Sequence, residues 1–180
     1  MTTHDGFFSR AVKRVALLHG RLSLGLESLL PFFDLSVRLY LAQIFWKGGM
    51  VKLSSWMSTV MLFTMVYDVP VLPPEIAAYL ATAVELGGSF LLAIGLAGRW
   101  AALSLFGLNI VAVTSYGQLS AAALQEAFYW GILFLYLVLH GPGRLSADGL
   151  LQMLYRRRQR SANVADGLIL AQAPQRARAD

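Results

Sequence analysis

The chain has no cysteine anywhere in its 180 residues. That excludes disulfide frameworks, thiolate metal sites, iron–sulfur ligation and dithiol redox chemistry, and it leaves the compartment open. Charge is scarce as well: 14% of residues are Asp, Glu, Lys or Arg, where a soluble domain carries about 25%. The three histidines, His4, His19 and His140, are scattered. No HExxH, His box or bis-histidine pattern exists, so haem and di-iron chemistry are not expected. A phosphate-binding glycine loop, a dinucleotide fingerprint and a GxSxG elbow are absent too. The glycines lie within apolar runs or at turns, where packing explains them.

What the chain does have is apolar residues: 57% are hydrophobic, and the mean hydropathy is +0.57. A chain of this size leaves roughly a third of its surface exposed when folded, so no interior is large enough to hide them all. Lipid is the solvent this composition asks for, and the length allows one domain. The formal charge of +5 points to anionic lipid headgroups rather than nucleic acid, because the basic residues sit beside apolar runs.

Residues 1–34 lack the long apolar stretch and small-residue cleavage site of a signal peptide. Phe7, Phe8, Val12, Val15 and Ala16, with bases between them, predict an amphipathic helix on the membrane surface, with a flexible leader as the competing reading. A first span is predicted over Leu35–Leu53, with Asp34 as its N-cap. Ser54–Tyr67 is a shorter apolar helix, too short to cross. It ends in Asp68-Val69-Pro70-Val71-Leu72-Pro73-Pro74, whose prolines forbid continuation, and reads as a re-entrant or interfacial helix on the outer face. Further spans are expected over Glu75–Ala97, Trp100–Gly117 and Ala122–His140, and Gly141-Pro142-Gly143 breaks the last. The fold expected is therefore all-α. A cytoplasmic leader (1–34) precedes a transmembrane four-helix bundle (35–141), and a basic cytoplasmic tail (142–180) follows, disordered over Ser161–Asp180.

Lys and Arg sort by loop. Four lie before residue 35, one at Arg99 and seven after His140, while 54–75 and 118–121 hold none. Four spans place every basic region on one side, which predicts both termini in the cytoplasm.

Charges also fall inside the spans. Arg38, Lys47 and Lys52 share the first one, and a lipid-exposed helix would reject each at about 2.5–3.5 kcal/mol. At 1.5 Å per residue, Lys47 lies about 18 Å from the inner start and Glu85 about 15 Å from the outer start of the next span. The matched depth predicts a Lys47–Glu85 pair, with Gln43 and Asn109 at the same level, forming a polar midplane site. The competing reading is that these four only satisfy one another. Glu126 is the expected partner of Lys52. Arg38 would meet Arg99 and His140 or lipid phosphate, or snorkel to the surface, and snorkelling is preferred. Met57, Met61 and Met65 recur every four residues. Thioethers bind Cu(I), but such stripes also serve as adaptable packing, and no metal site is assigned.

The run Arg38-x6-Phe45-x2-Gly48-Gly49-x2-Lys52 resembles the first-helix signature of the DoxX family of bacterial membrane proteins. Glu85-Leu86-Gly87-Gly88, continuing through Leu91-Leu92 and Gly95-Leu96 to Arg99, resembles its next motif. Gly141-Pro142-Gly143-Arg144-Leu145-Ser146-Ala147-Asp148 looks like its ending. The likeness covers residues 35–150 and implies a four-helix protein of the bacterial inner membrane. Its motif charges fall on Arg38, Lys52, Glu85 and Arg99. Some relatives are subunits of quinone-linked oxidoreductases, including thiosulfate oxidation, and others are tied to oxidative-stress or metal-associated operons. The cysteine chemistry of the wider superfamily does not carry over to a chain without thiols.

Three functional readings follow. The first is a small membrane subunit supporting a redox process, in which Lys47 or Lys52 binds a quinone or anion and Glu85 is the proton partner; it needs a redox partner protein or a diffusible quinone. The second is a non-catalytic scaffold docking a soluble enzyme, with Arg156–Arg160 and the amphipathic leader as docking surfaces. The third, a small-molecule or metal transporter, needs homo-oligomerisation to enclose a path. No residue is assigned as catalytic.

Overall fold

The computed structural model describes residues 4–159 except Asp68, Pro70, Val71, Gln118 and Arg144, with backbone alone for 4–24. The leader's apolar side chains and the expected disorder of Ser161–Asp180 lie outside the described residues. Within them the protein is all-helical: α1 (His4–Ser54), α2 (Trp56–Met65), α3 (Pro74–Ile94), α4 (Gly98–Ser115), α5 (Ala121–His140) and α6 (147–159). Three segments are long and apolar enough to cross a membrane: Gly25–Ser54 of α1, all of α3 and all of α5. The chain is thus a membrane protein. Helix α4, which carries Arg99 and Asn109, is not among the three.

Helix α1 departs from the expected boundary at residue 34. It runs through Pro31 and Asp34 as one helix of 51 residues. An N-cap needs a carboxylate free to accept from the backbone of the next turn, and Asp34 has spent its own sideways. It accepts from the Tyr136 hydroxyl at 2.7 Å and is 3% exposed. With no cap to start a helix at 35, the chain continues.

Helix α2 has ten residues, about 15 Å at helical rise, and matches the short apolar helix expected there. Its buried side holds Thr59 and Phe63, while Met57, Met61 and Met65 all face outward. The methionine stripe is largely exposed among the described residues. Helix α3 begins at Pro74, whose missing N–H suits the first turn. It closes on Gly95 at φ 71°, in the left-handed region that an L side chain resists.

Helix α1 packs on α3, α3 on α4, α4 on α5, and α5 returns to α1. One core joins all four: Leu41 and Phe45, Leu92, Leu105, and Phe134 and Leu137. Phe45 sits edge-on to Phe134 at 5.0 Å and to Trp130 at 5.8 Å. A second cluster ties α2 to α3 through Phe63 and the alanines 77, 78 and 81.

Polarity is distributed as lipid requires. Leu139, Trp100 and Phe128 are 72%, 74% and 65% exposed, whereas Asp34, Arg38, Glu85 and Asn109 are buried. A soluble monomer rarely exposes so continuous an apolar surface.

The α1–α3 contact depends on Gly49, where an added Cβ would stand 2.7 Å from the Leu86 side chain. A Cβ at Gly87 would meet nothing within 4 Å. Gly49→Ala is expected to destabilise the protein by about 1–3 kcal/mol. Gly87→Ala, which removes a helix-interior glycine, should leave stability unchanged or raise it by up to about 1 kcal/mol. Thermal melting of both variants in detergent checks the contrast.

Candidate functional site

The spacing of charge and glycine along the end of α1 has a geometric use. Gly48 and Lys52 are four residues apart, so they share a face of α1. That face meets α3 where Gly48 lets the Glu85 carboxylate come close: an added Cβ would sit 3.6 Å from it. Lys52 Nζ then reaches back one turn and donates to both Glu85 oxygens, at 2.6 and 2.7 Å. The two side chains are only 18% and 12% exposed. Thr59 Oγ1 on α2 donates to the Lys52 carbonyl at 3.0 Å, fixing the end of α1. Ser89 Oγ donates to the Glu85 carbonyl.

The pair lies in the wall of a cavity of about 250 Å³ between α2, α3 and α4. The rest of its lining is almost wholly apolar and includes Phe63, Tyr67, Ala81, Val84 and Leu108. Phe63 and Tyr67 stack with centroids 4.9 Å apart, and Tyr67 meets Tyr116 edge-on at 5.3 Å. Burial, then the Glu85 and Tyr116 side chains, push the Tyr67 hydroxyl above its ordinary pKa. It therefore stays protonated and able to donate.

The charge pairs differ from those expected from depth. Glu85 is bound by Lys52, not Lys47, and Glu126 is not the partner of Lys52. Depth fixes the height of a residue but not its direction around the helix. Lys47 and Lys52, five residues apart, point about 140° apart. Lys47 and Gln43 turn to α5, where they line an open cleft with Glu126 and Tyr129. Asn109 donates to the Ala127 carbonyl at 2.9 Å and fastens α4 to α5. The four residues of the expected midplane site therefore occupy three separate places.

Arg38 does not snorkel. It is 1% exposed, donates through Nη2 to the Leu145 carbonyl, and lies near Asp34 and Asp148. Asp148 in turn accepts from the backbone N–H groups of Ala97 and Gly98, both at 3.0 Å, capping α4 from fifty residues away. Asp34 also stands 3.7 Å from His140 Nε2, and the Arg99 guanidinium packs over Gly141. Arg38, Arg99 and Asp148 thus fasten the loop after α5 onto the end of the bundle. Their role is architectural. Asp34, Tyr67 and Asp148 gain their roles only in the fold: along the chain Asp34 reads as a helix cap, Tyr67 as the end of a short apolar helix and Asp148 as the close of the Gly141–Asp148 run.

No group of three His, Asp or Glu side chains able to hold a metal is gathered among the described residues. The DoxX family model matches residues 33–118 of the chain. The match includes Arg38, Lys52, Glu85 and Arg99, spans α2 to α4, and stops before α5. No curated protein and no solved structure matches the chain.

Two outcomes are expected here. Removing one partner of the α1–α3 pair leaves a buried charge. Lys52→Met and Glu85→Leu should each cost up to about 3–5 kcal/mol, and the double variant should regain most of it; thermal unfolding in nanodiscs measures all three. Asp148→Ala should cost about 0.5–2 kcal/mol through the lost cap, read as faster proteolysis of the segment after Gly141.

Proposed function

From the premise of a membrane protein matched by the DoxX family model, we propose a small subunit of the bacterial inner membrane that binds a quinone-like headgroup against Lys52 and Glu85. The helices α1, α3, α4 and α5 cross as a four-helix bundle. Helix α4 shares the core of the other three, and its 18 residues rise about 27 Å, close to the roughly 30 Å hydrocarbon core. The distribution of Lys and Arg puts both termini in the cytoplasm.

The observation that carries the ligand reading is the apolar cavity with one ion pair in its wall. At about 250 Å³ it is slightly below the range of roughly 300–1,000 Å³ for small-molecule sites. It suits a ring-sized head with an isoprenoid tail left in lipid. The donor set fits such a head. Two of the three ammonium protons of Lys52 are committed to Glu85, leaving one to donate to a carbonyl oxygen. Glu85 can hold a proton at a carboxylate oxygen, and Phe63 and Tyr67 offer aromatic faces. A bound quinone would supply the two-electron, two-proton chemistry that this chain lacks, and electrons would come from a partner protein.

One observation favours a second reading. Helix α6 exposes Leu150, Leu151, Leu154 and Tyr155 along with Arg156 and Arg158, a surface suited to docking a soluble enzyme at the membrane.

Mass spectrometry of small molecules co-purifying in nanodiscs tests the proposal. A stoichiometric quinone is expected in the wild type and should be lost in the Lys52→Met/Glu85→Leu double variant, which keeps its fold. No quinone, or equal loading of the double variant, overturns it; an empty protein that retains a soluble enzyme supports the scaffold.

A further inference from the structure

The polar face between α1 and α5 plays no part in the site above and shares no lining residue with it. Tyr40, Gln43 and Lys47 follow each other along one side of α1 at spacings of three and four, and Glu126 and Tyr129 face them from α5. They line an open cleft of about 410 Å³. Lys47 and Glu126 are both exposed. Neither has an ion pair or hydrogen bond among the described residues. Both belong to helices long and apolar enough to cross the membrane. Lys47 stands seven residues before the end of α1 and Glu126 five after the start of α5, about 10 and 8 Å inside the helix ends.

Three other charges of α1 are turned inward and partnered: Lys52 with Glu85, Asp34 with Tyr136, Arg38 with Leu145, while Glu27, two residues into the apolar segment, is exposed. The α1–α5 face breaks that pattern, with one positive and one negative group presented outward side by side. Such a face is self-complementary under a twofold axis, since each lysine can meet the glutamate of the other copy and the reverse. We propose that this face is the interface of a homodimer in the membrane, in which Lys47 of each copy pairs with Glu126 of the other, with Gln43 and the two tyrosines closing around them. Charge complementarity commits the occupant to a second copy. Hydrocarbon tails leave both charges unpaired, and a soluble protein does not reach this depth. An unrelated spanning helix would have to present the inverse pattern, which this chain already carries. The inference rests on α1 and α5 lying in the bilayer and is independent of any ligand at Lys52.

The natural absence of cysteine makes the test direct. Gln43→Cys, oxidised mildly in native membranes, is expected to give a disulfide-linked dimer. Phe90→Cys, exposed on α3, should not. In the Gln43→Cys background, Lys47→Glu or Glu126→Lys alone should lower dimerisation roughly thirty- to nine-hundredfold, the factor equivalent to about 2–4 kcal/mol for the two symmetry-related interhelical polar contacts at about 1–2 kcal/mol each. Co-expressing the two charge-reversed chains should restore it, because each then offers the complement of the other, and that recovery also shows that both chains fold. Three results overturn the proposal: no dimer with Gln43→Cys; equal crosslinking at Phe90→Cys; or recovery only when both reversals sit on one chain, which would place the pair within a monomer.

Discussion

Hydrocarbon offers a polar side chain no hydrogen-bond partner, so each charge carried into the bilayer must find its counterpart in protein. The Lys52–Glu85 contact follows from that constraint, and the α1–α3 packing is arranged around it. Gly48 clears space over the carboxylate and Gly49 lets Leu86 approach. Thr59 anchors the last turn of α1 so that the ammonium stays in reach. Removing the charge requirement would leave little reason for two adjacent glycines at that height.

The opposite end of the bundle answers the same constraint differently. Arg38 is the largest fully buried side chain in the described structure, and it is held by a backbone carbonyl with two carboxylates nearby. The segment after α5 supplies Leu145 and Asp148, so a loop that looks like a simple exit from the membrane is instead a fastening. It satisfies the buried guanidinium in part and caps α4 at once. Two guanidinium nitrogens, Nε and Nη1, have no hydrogen-bond partner among the described residues. The nearby carboxylates of Asp34 and Asp148 offset their burial electrostatically.

These two ends separate the family-motif charges by role. Arg38 and Arg99 close one end of the bundle, and Lys52 with Glu85 borders a cavity at the other. A motif read along the chain lists them together, because spacing records that residues are needed but not what they touch. The exposed pair Lys47 and Glu126, in the cleft between α1 and α5, belongs to neither group.

The sequence by itself determined the membrane address, the helical class, the order of the elements and most of their ends. Hydropathy and proline placement are local, additive properties, and the bounds of α3, α4 and α5 lie close to those read from them. Only the tertiary structure decided which charge meets which. Partner choice depends on the rotation of each helix about its axis, set by the close contact at Gly48 and Gly49, and height along the axis is silent about rotation. The continuity of α1 through Asp34 was hidden for a related reason. Whether an aspartate caps a helix or passes through it depends on what its carboxylate can reach sideways, and here that is Tyr136, about a hundred residues further along.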